Sequence, residues 1–359
     1  LLKEGIFMDN KLTEAFIKLG KFMAAFAEGG PKKAEKGIPK HYYDAFEELI
    51  ISLHIYNGWF TDYNVRTALK ALGESMNKEE IERWLAKYDG QNASASKQVG
   101  IIAAGNIPMA GFHDFMCVLL AGHKVIVKPS TTDDKLLPFL SKVLQHIEPG
   151  LEGKIEFAPG MMKGADAYIA TGSNNSSRYF DYYFGKFPHI IRKNRNSVAV
   201  LTGSETDEEL AALTNDVFLY FGLGCRSVSK LYVPVGYDFS RIAKSFEAWK
   251  KAFENKKYGN NYDYIKAIYL LNKVLHIDCG FMMLKQDEAL ASPVAVVYFD
   301  YYSDLEQLGE ELNRRALDIQ CIVGNVNIGL PILPFGKAQY PKVDEYADGV
   351  DTLNFLLNL

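Results

Sequence analysis

The chain has 359 residues, enough for two or three domains at the usual ~100–200 residues each. Hydrophobic residues make up 48% and charged residues 23%, which excludes a disordered chain and supplies material for a sizeable core. Forty Lys+Arg against 44 Asp+Glu give a formal charge of −4, and no basic run stands out, so nucleic acid is not the expected partner and a small molecule is.

Up to about Tyr88 the chain reads as helical. Residues 12–28 carry Phe16, Leu19, Phe22, Met23 and Phe26 at helical spacing, and Gly29-Gly30-Pro31 stops them. Residues 65–72 and 79–88 are further amphipathic helices, the second capped by Asn77. A small polar connector follows, Gly90-Gln91-Asn92-Ala93-Ser94-Ala95-Ser96. Then the rhythm changes. Strands are expected at 99–104, 124–128, 155–158 and 167–170, with helices at 108–122, 133–146 and 174–184. Strands and helices alternating in this way imply a parallel sheet covered on both faces. A second α/β unit begins with a strand at 198–201, a helix at 205–221 and a strand at 227–234. It continues through a strand at 294–299, a helix at 305–317 and a strand at 319–323.

No stretch reaches the ~18–20 apolar residues of a membrane span; the longest, residues 115–122, is a short buried segment. The opening LLKEGIFMDNKL has no long apolar run, so no secretory signal is expected. Cys117, Cys225, Cys279 and Cys321 lie far apart with no CxxC pattern. Reduced thiols in the cytoplasm are expected, with no disulfide framework and no zinc site.

No GxGxxG follows an early strand, so nucleotide-binding chemistry must sit elsewhere. Lys128-Pro129-Ser130-Thr131 ends the strand KVIV. Lys128 is either a solvated strand-end lysine or a ligand for ribose hydroxyls or phosphate. Thr171-Gly172-Ser173 joins the strand AYIA to a helix. It is either an ordinary cap or a glycine turn whose free amides and helix dipole suit a pyrophosphate. Cys225, in Gly222-Leu223-Gly224-Cys225-Arg226-Ser227, is the best thiol candidate. Glycine leaves it accessible, and Arg226 would favour the thiolate. Cys321 and Cys279 read as structural. His113 and Cys117 share a helix face and could pair as a nucleophile, but FMCVLL around Cys117 reads as core. Asn106, in Gly105-Asn106-Ile107-Pro108, either caps the next helix, which Pro108 starts, or serves as an oxyanion donor.

In order along the chain, GNIP, AGHKVIVKPS, ATGS, GLGCRSVSKLYVP and SPVAVVYFDYYSDLEQL resemble motifs of the aldehyde dehydrogenase superfamily over residues 99–359. The helical amino-terminal part, with NGWF and RTALKALGESMNKEEIERWLAKYDG, and the end LPFGKAQYPKVDEYADGVDTLNFL resemble the acyl-CoA reductases akin to the fatty-acid reductase of bacterial luminescence (LuxC). The resemblance implies an α/β fold with two Rossmann-type parallel-sheet domains and a helical amino-terminal segment. The domains would be a helical segment at 1–90, a cofactor-binding domain at 91–200, a catalytic domain at 201–335 and a tail at 336–359 that packs back or joins an oligomer interface. Cys225 would be the nucleophile and Asn106 the oxyanion donor. Lys128, Ser130, Thr131, Thr171, Gly172 and Ser173 would hold the cofactor.

Two departures from the superfamily pattern matter. Where hydrolytic members carry a general-base Glu, residues 190–197 (IIRKNRNS) have no carboxylate, which disfavours hydrolysis of an acyl-enzyme and favours thiol exchange. Ala289 stands near where a ribose-holding Glu is common, with Glu288 one position away. Thr131, neutral and small where an acid would repel a 2′-phosphate, favours NADPH, with NADH possible. The expected activity is reduction of a long-chain fatty acyl-CoA or other acyl thioester to the aldehyde. The alternatives are a cysteine acyltransferase or thioesterase without hydride transfer, and a catalytically silent acyl-binding relative. The resemblance also implies a homo-oligomer and, by analogy, an acyl-transferring protein partner.

Overall fold

The computed structural model describes residues 10–30, 34–88, 90, 91, 93, 95–158, 160, 162 and 164–359. The chain forms two compact units: one holds the chain up to Asn194 together with Pro341–Leu359, the other is Arg195–Tyr340.

The first unit begins with helices α1 (Asn10–Ala24), α2 (Lys40–Tyr56), α3 (Asp62–Ser75) and α4 (Lys78–Leu85). Leu12, Phe16, Leu19, Phe22 and Met23 recur on one face of α1 and are buried. Thr61 caps α3, and Asn77 caps α4 by accepting from the Glu80 N–H at 3.0 Å. Buried Arg66 bridges Glu47, Asp62 and the Phe26 carbonyl, stitching three helical segments together. After them come β1 (Gln98–Ile102), α5 (Phe112–Leu120), β2 (Lys124–Lys128), α6 (Leu136–Ile147), β3 (Ile155–Phe157), β4 (Ala167–Thr171), α7 (Asn174–Phe184) and β5 (His189–Arg192). Their strands form one parallel sheet, A, in the order β3-β2-β1-β4-β5. The central strands are buried on both faces, as their unbroken apolar runs require.

The second unit contains β6 (Asn196–Val200), α8 (Asp207–Phe218), β7 (Val228–Pro234), α9 (Ser240–Phe246), α10 (Lys256–Leu271), β8 (Ile277–Asp278), β9 (Met283–Gln286), β10 (Val296–Tyr302), α11 (Leu305–Arg314) and β11 (Ile319–Gly324). Sheet B runs β11-β6-β7-β10-β9-β8. Side-chain alternation splits its core into two layers. Ala199, Leu231 and Val233 pack with Leu213 and Phe246 on one face; Val198, Val200 and Tyr232 pack with Leu308 and Leu312 on the other. The chain then returns to the first unit and ends in α12 (Thr352–Leu357).

The α/β class and the parallel sheet hold, with differences. Sheet B is mixed, because β8 pairs antiparallel to β9 at its edge. The helix expected from residue 108 starts at Phe112, since residues 103–111 first carry the chain past the end of β1. The first helix ends at Ala24, not 28. Among the elements not anticipated are β5, α9, α10, β8 and β9, while α2 falls in the stretch read as helical without bounds of its own. Asn92 and Ser94 of the polar connector, Pro31, and residues 1–9 of the opening stretch lie outside the described residues.

Candidate active site

In sheet A the chain order reverses between β1 and β4, and ligands of open parallel sheets bind beyond the strand ends at such a point. Ile102 of β1 lies beside Lys128 of β2 and Ala170 of β4. The segments after these three strands therefore leave the sheet side by side: Gly105-Asn106, Lys128-Pro129-Ser130-Thr131 and Thr171-Gly172-Ser173.

Lys128 is half-buried, and its ammonium makes no hydrogen bond or ion pair among the described residues. Thr131 is exposed, whereas the Ser130 hydroxyl lies 2.9 Å from Thr132 Oγ1. Thr132 Oγ1 also donates to the Gly105 carbonyl at 2.9 Å. A Cβ on Gly105 would sit 2.4 Å from both hydroxyl oxygens, so this contact between the β1 and β2 loops requires glycine. Asn106 is exposed and lies well ahead of α5, which starts behind Gly111 without a side-chain cap. The capping reading of Asn106, with Pro108 opening the helix, is thereby corrected.

On β4 the cap is Ser173, whose Oγ accepts from the Ser176 N–H at 3.2 Å. Gly172 is required by its own helix: a Cβ there would meet the Phe180 ring at 2.8 Å and Ser176 Cβ at 2.9 Å. A cation without a partner among the described residues, exposed hydroxyls and a helix start make a donor set that fits a dinucleotide.

Cys225 belongs to the second unit, in the loop that enters β7, and is half-buried. Tyr220 and Phe221 hold left-handed φ of 56° and 57° ahead of it, a strain of about 1–3 kcal/mol each that surrounding contacts must offset. Those contacts are present. The Ser197 hydroxyl donates to the Cys225 carbonyl at 2.9 Å, the Ser227 N–H to the Gly224 carbonyl at 2.9 Å, and Gln339 Nε2 to Ser227 Oγ at 3.1 Å. Arg226 Nε donates to the Ala338 carbonyl. Asp216 accepts from the N–H groups of Gly336 (2.6 Å) and Ala338 (2.9 Å), and burial pushes its carboxyl up to about 6. The loop is a built one, held from α8 and from residues 336–339.

The other three thiols are unsuited to nucleophilic work. Burial pushes Cys279 and Cys321 up to about 11 and Cys117 well above the usual thiol range. His113 Nδ1 does lie 3.7 Å from Cys117 Sγ, but burial pushes the imidazole down, so the pair stays neutral. His113 Nε2 is turned to the Val343 carbonyl at 2.7 Å, and its ring packs against Trp84 and Tyr346.

In the stretch lacking a carboxylate, Arg192 is buried and paired with Asp114 of α5 at 2.7 Å. Glu288 and Ala289 are exposed on the loop after β9, where the Glu288 carbonyl accepts from Lys230 Nζ and from Arg315 Nη1, both at 3.1 Å. Sequence reasoning missed Asp133 and Lys230, both buried. A lysine amid the apolar residues of SKLYVP was the one visible signal of the second.

No family model matches this chain, and no curated protein does. Solved structures match. Aldehyde dehydrogenase 21 from Physcomitrella patens, solved in complex with the reaction product succinate, superposes with a TM-score of 0.66 at 13% identity, covering 95% of this chain and 84% of its own. Indole-3-acetaldehyde dehydrogenase AldA from P. syringae, solved with NAD+ and IAA, gives 0.60 at 14% identity over 87% and 71%. A putative aldehyde dehydrogenase, PutA, from Anabaena variabilis gives 0.56 at 17% identity over 87% and 78%. The fold is that of the aldehyde dehydrogenases. Within this aldehyde dehydrogenase fold, no helix among the described residues is long and apolar enough to cross a membrane.

Proposed function

We propose that the chain is an NADPH-dependent reductase of long-chain fatty acyl thioesters, acyl-CoA first among them, of the luminescence-reductase kind. The observation that carries this reading is the grouping of three strand-end segments, after β1, β2 and β4, at the reversal point of sheet A in an aldehyde dehydrogenase fold. Lys128, Ser130 and Thr131 would hold the ribose and its 2′-phosphate. Thr171, Gly172 and Ser173 would lie under the pyrophosphate. The bound cofactor supplies hydride.

The chain's own residues do the rest. The Cys225 thiolate attacks the thioester carbonyl, a carbon–sulfur bond forms, and coenzyme A leaves as thiolate. The Asn106 side-chain amide and the Cys225 N–H stabilise the oxyanion, at about 3–4 kcal/mol per donor. With the hydride that a bound nicotinamide would supply, the Cys225 thioester would become a hemithioacetal oxyanion, and breaking its carbon–sulfur bond would release the aldehyde and return the Cys225 thiolate. The absence of a carboxylate at 190–197 disfavours hydrolysis of the acyl-enzyme and so supports entry of the acyl group by exchange from a thioester. The elevated Cys117, Cys279 and Cys321 support Cys225 by elimination.

Mixing protein, NADPH and a long-chain acyl-CoA should consume NADPH absorbance with aldehyde formed, and Cys225→Ala should abolish it. Consumption undiminished in that variant, or thioester cleavage without nucleotide, would overturn the assignment.

A further inference from the structure

We propose that residues 130–133 clamp the Asn106 turn, with Thr132 and Asp133 as positioning residues, so that nucleotide bound at the end of β2 stiffens the turn carrying the oxyanion donor. This rests on the function proposed above.

Two hydrogen bonds reach the turn from the same short segment, and they bracket Asn106. Thr132 Oγ1 donates to the Gly105 carbonyl at 2.9 Å on one side. On the other, the Met109 N–H donates to Asp133 Oδ2 at 2.7 Å. Met109 has a left-handed φ of 58°, a conformation that persists only where neighbours over-determine it. The buried carboxylate is that neighbour. Asp133 keeps this role at a cost, since its Oδ1 is buried with no hydrogen-bond partner among the described residues.

The clamping segment is itself braced. The Asp133 N–H donates to the Ser130 carbonyl at 3.0 Å, and Thr132 Oγ1 meets Ser130 Oγ at 2.9 Å. From the far side, Asn57 Nδ2, just past α2, donates to the Thr132 carbonyl at 3.1 Å. Lys128 and Pro129 lead straight into it. A ligand gripped by Lys128, Ser130 and Thr131 therefore orders a segment that holds both flanks of Asn106.

Hydrogen exchange of the 105–109 backbone, with and without NADPH, tests the clamp beside a binding titration and steady-state kinetics. In the wild type and in Asp133→Asn, which keeps an oxygen for the Met109 N–H, NADPH should slow exchange. Thr132→Val and Asp133→Ala should bind NADPH at wild-type affinity yet lose the slowing. Their kcat should fall about tenfold or more with cofactor KM unchanged, the signature of a misplaced group. Slowing and kcat that survive both variants overturn the clamp, as does a loss of affinity that matches the loss of kcat. If the wild type binds NADPH but its turn does not respond, the clamp alone falls. A flat titration removes the nucleotide site of the proposed function, and the clamp with it.

Discussion

Asp133 also sets a pH dependence of stability. Burial pushes its carboxyl from 3.8 up to about 7. The folded chain thus holds this proton where the unfolded chain has lost it. Between about pH 4 and pH 7 the native state binds more protons, so stability falls as pH rises through that window. The shift is worth about 4 kcal/mol at 1.36 kcal/mol per unit. Asp216, raised to about 6, adds the same sign over the lower part of the range. Asp133→Asn cannot ionise and still accepts from Met109. Its urea midpoint should gain on the wild type as pH rises from 4.5 to 8; a constant difference would refute the burial argument. At this scale the sequence exposed the residues that punctuate strand ends: Lys128 and the Thr171–Ser173 turn stand beside their strands, and Ser173 caps its helix. It hid the residues whose partners come from afar. Nothing near Asp133 announces the Met109 N–H, and Arg226 finds its carbonyl acceptor at Ala338.

Elements were legible where burial is uniform or periodicity is carried by aliphatic side chains. The runs of β1, β2 and β4 and the stripe of α1 are of this kind. α10 was not, because its buried positions are Tyr258, Gly259, Tyr262 and Tyr269, a stripe that looks polar and opens on poor helix formers. β5 has only four residues and β8 two, too short for alternation to register. β5 shows what was lost with it. Arg192, at its end, donates to Asp114 of α5 at 2.7 Å, to Thr352 Oγ1 at 2.7 Å and to the Ala347 carbonyl at 2.6 Å. This side chain ties a strand, a helix and the returning chain, and both charges are buried. Arg192→Met should destabilise the first unit by about 3–5 kcal/mol, because Asp114 is left as an uncompensated buried charge. Adding Asp114→Leu should recover much of the loss, since a buried pair contributes little net stability over apolar replacements. Denaturant unfolding of the single and double variants checks this, and a double variant as unstable as the single one would contradict it.

The two units differ in how their chain is laid out. Arg195–Tyr340 is contiguous and carries apolar layers on both faces of its own sheet. The first unit is discontinuous, and its returning segment does more than fill surface. Trp84 Nε1 donates to the Tyr346 hydroxyl at 2.8 Å, the Tyr88 hydroxyl to Asp351 Oδ2 at 2.7 Å, and buried His123 Nε2 lies 2.8 Å from the Leu356 carbonyl. Leu353 and Leu356 are fully buried. Orphaning each such polar group costs about 1–3 kcal/mol, and uncovering each leucine's site costs about 1.5–3 kcal/mol. Together these losses reach the 5–15 kcal/mol that holds a whole domain. Residues 195–340 expressed alone should therefore melt cooperatively. Trp249 is the reporter, packed on Phe218 with ring centroids 5.9 Å apart and bonded to Thr214 Oγ1 at 3.1 Å. Residues 1–194 alone should show no cooperative transition until a peptide of residues 341–359 is added in trans, when Trp84 fluorescence should report folding. A fragment 1–194 that melts identically with and without the peptide, or a fragment 195–340 with no transition, would show that stability is not partitioned along this division of the chain.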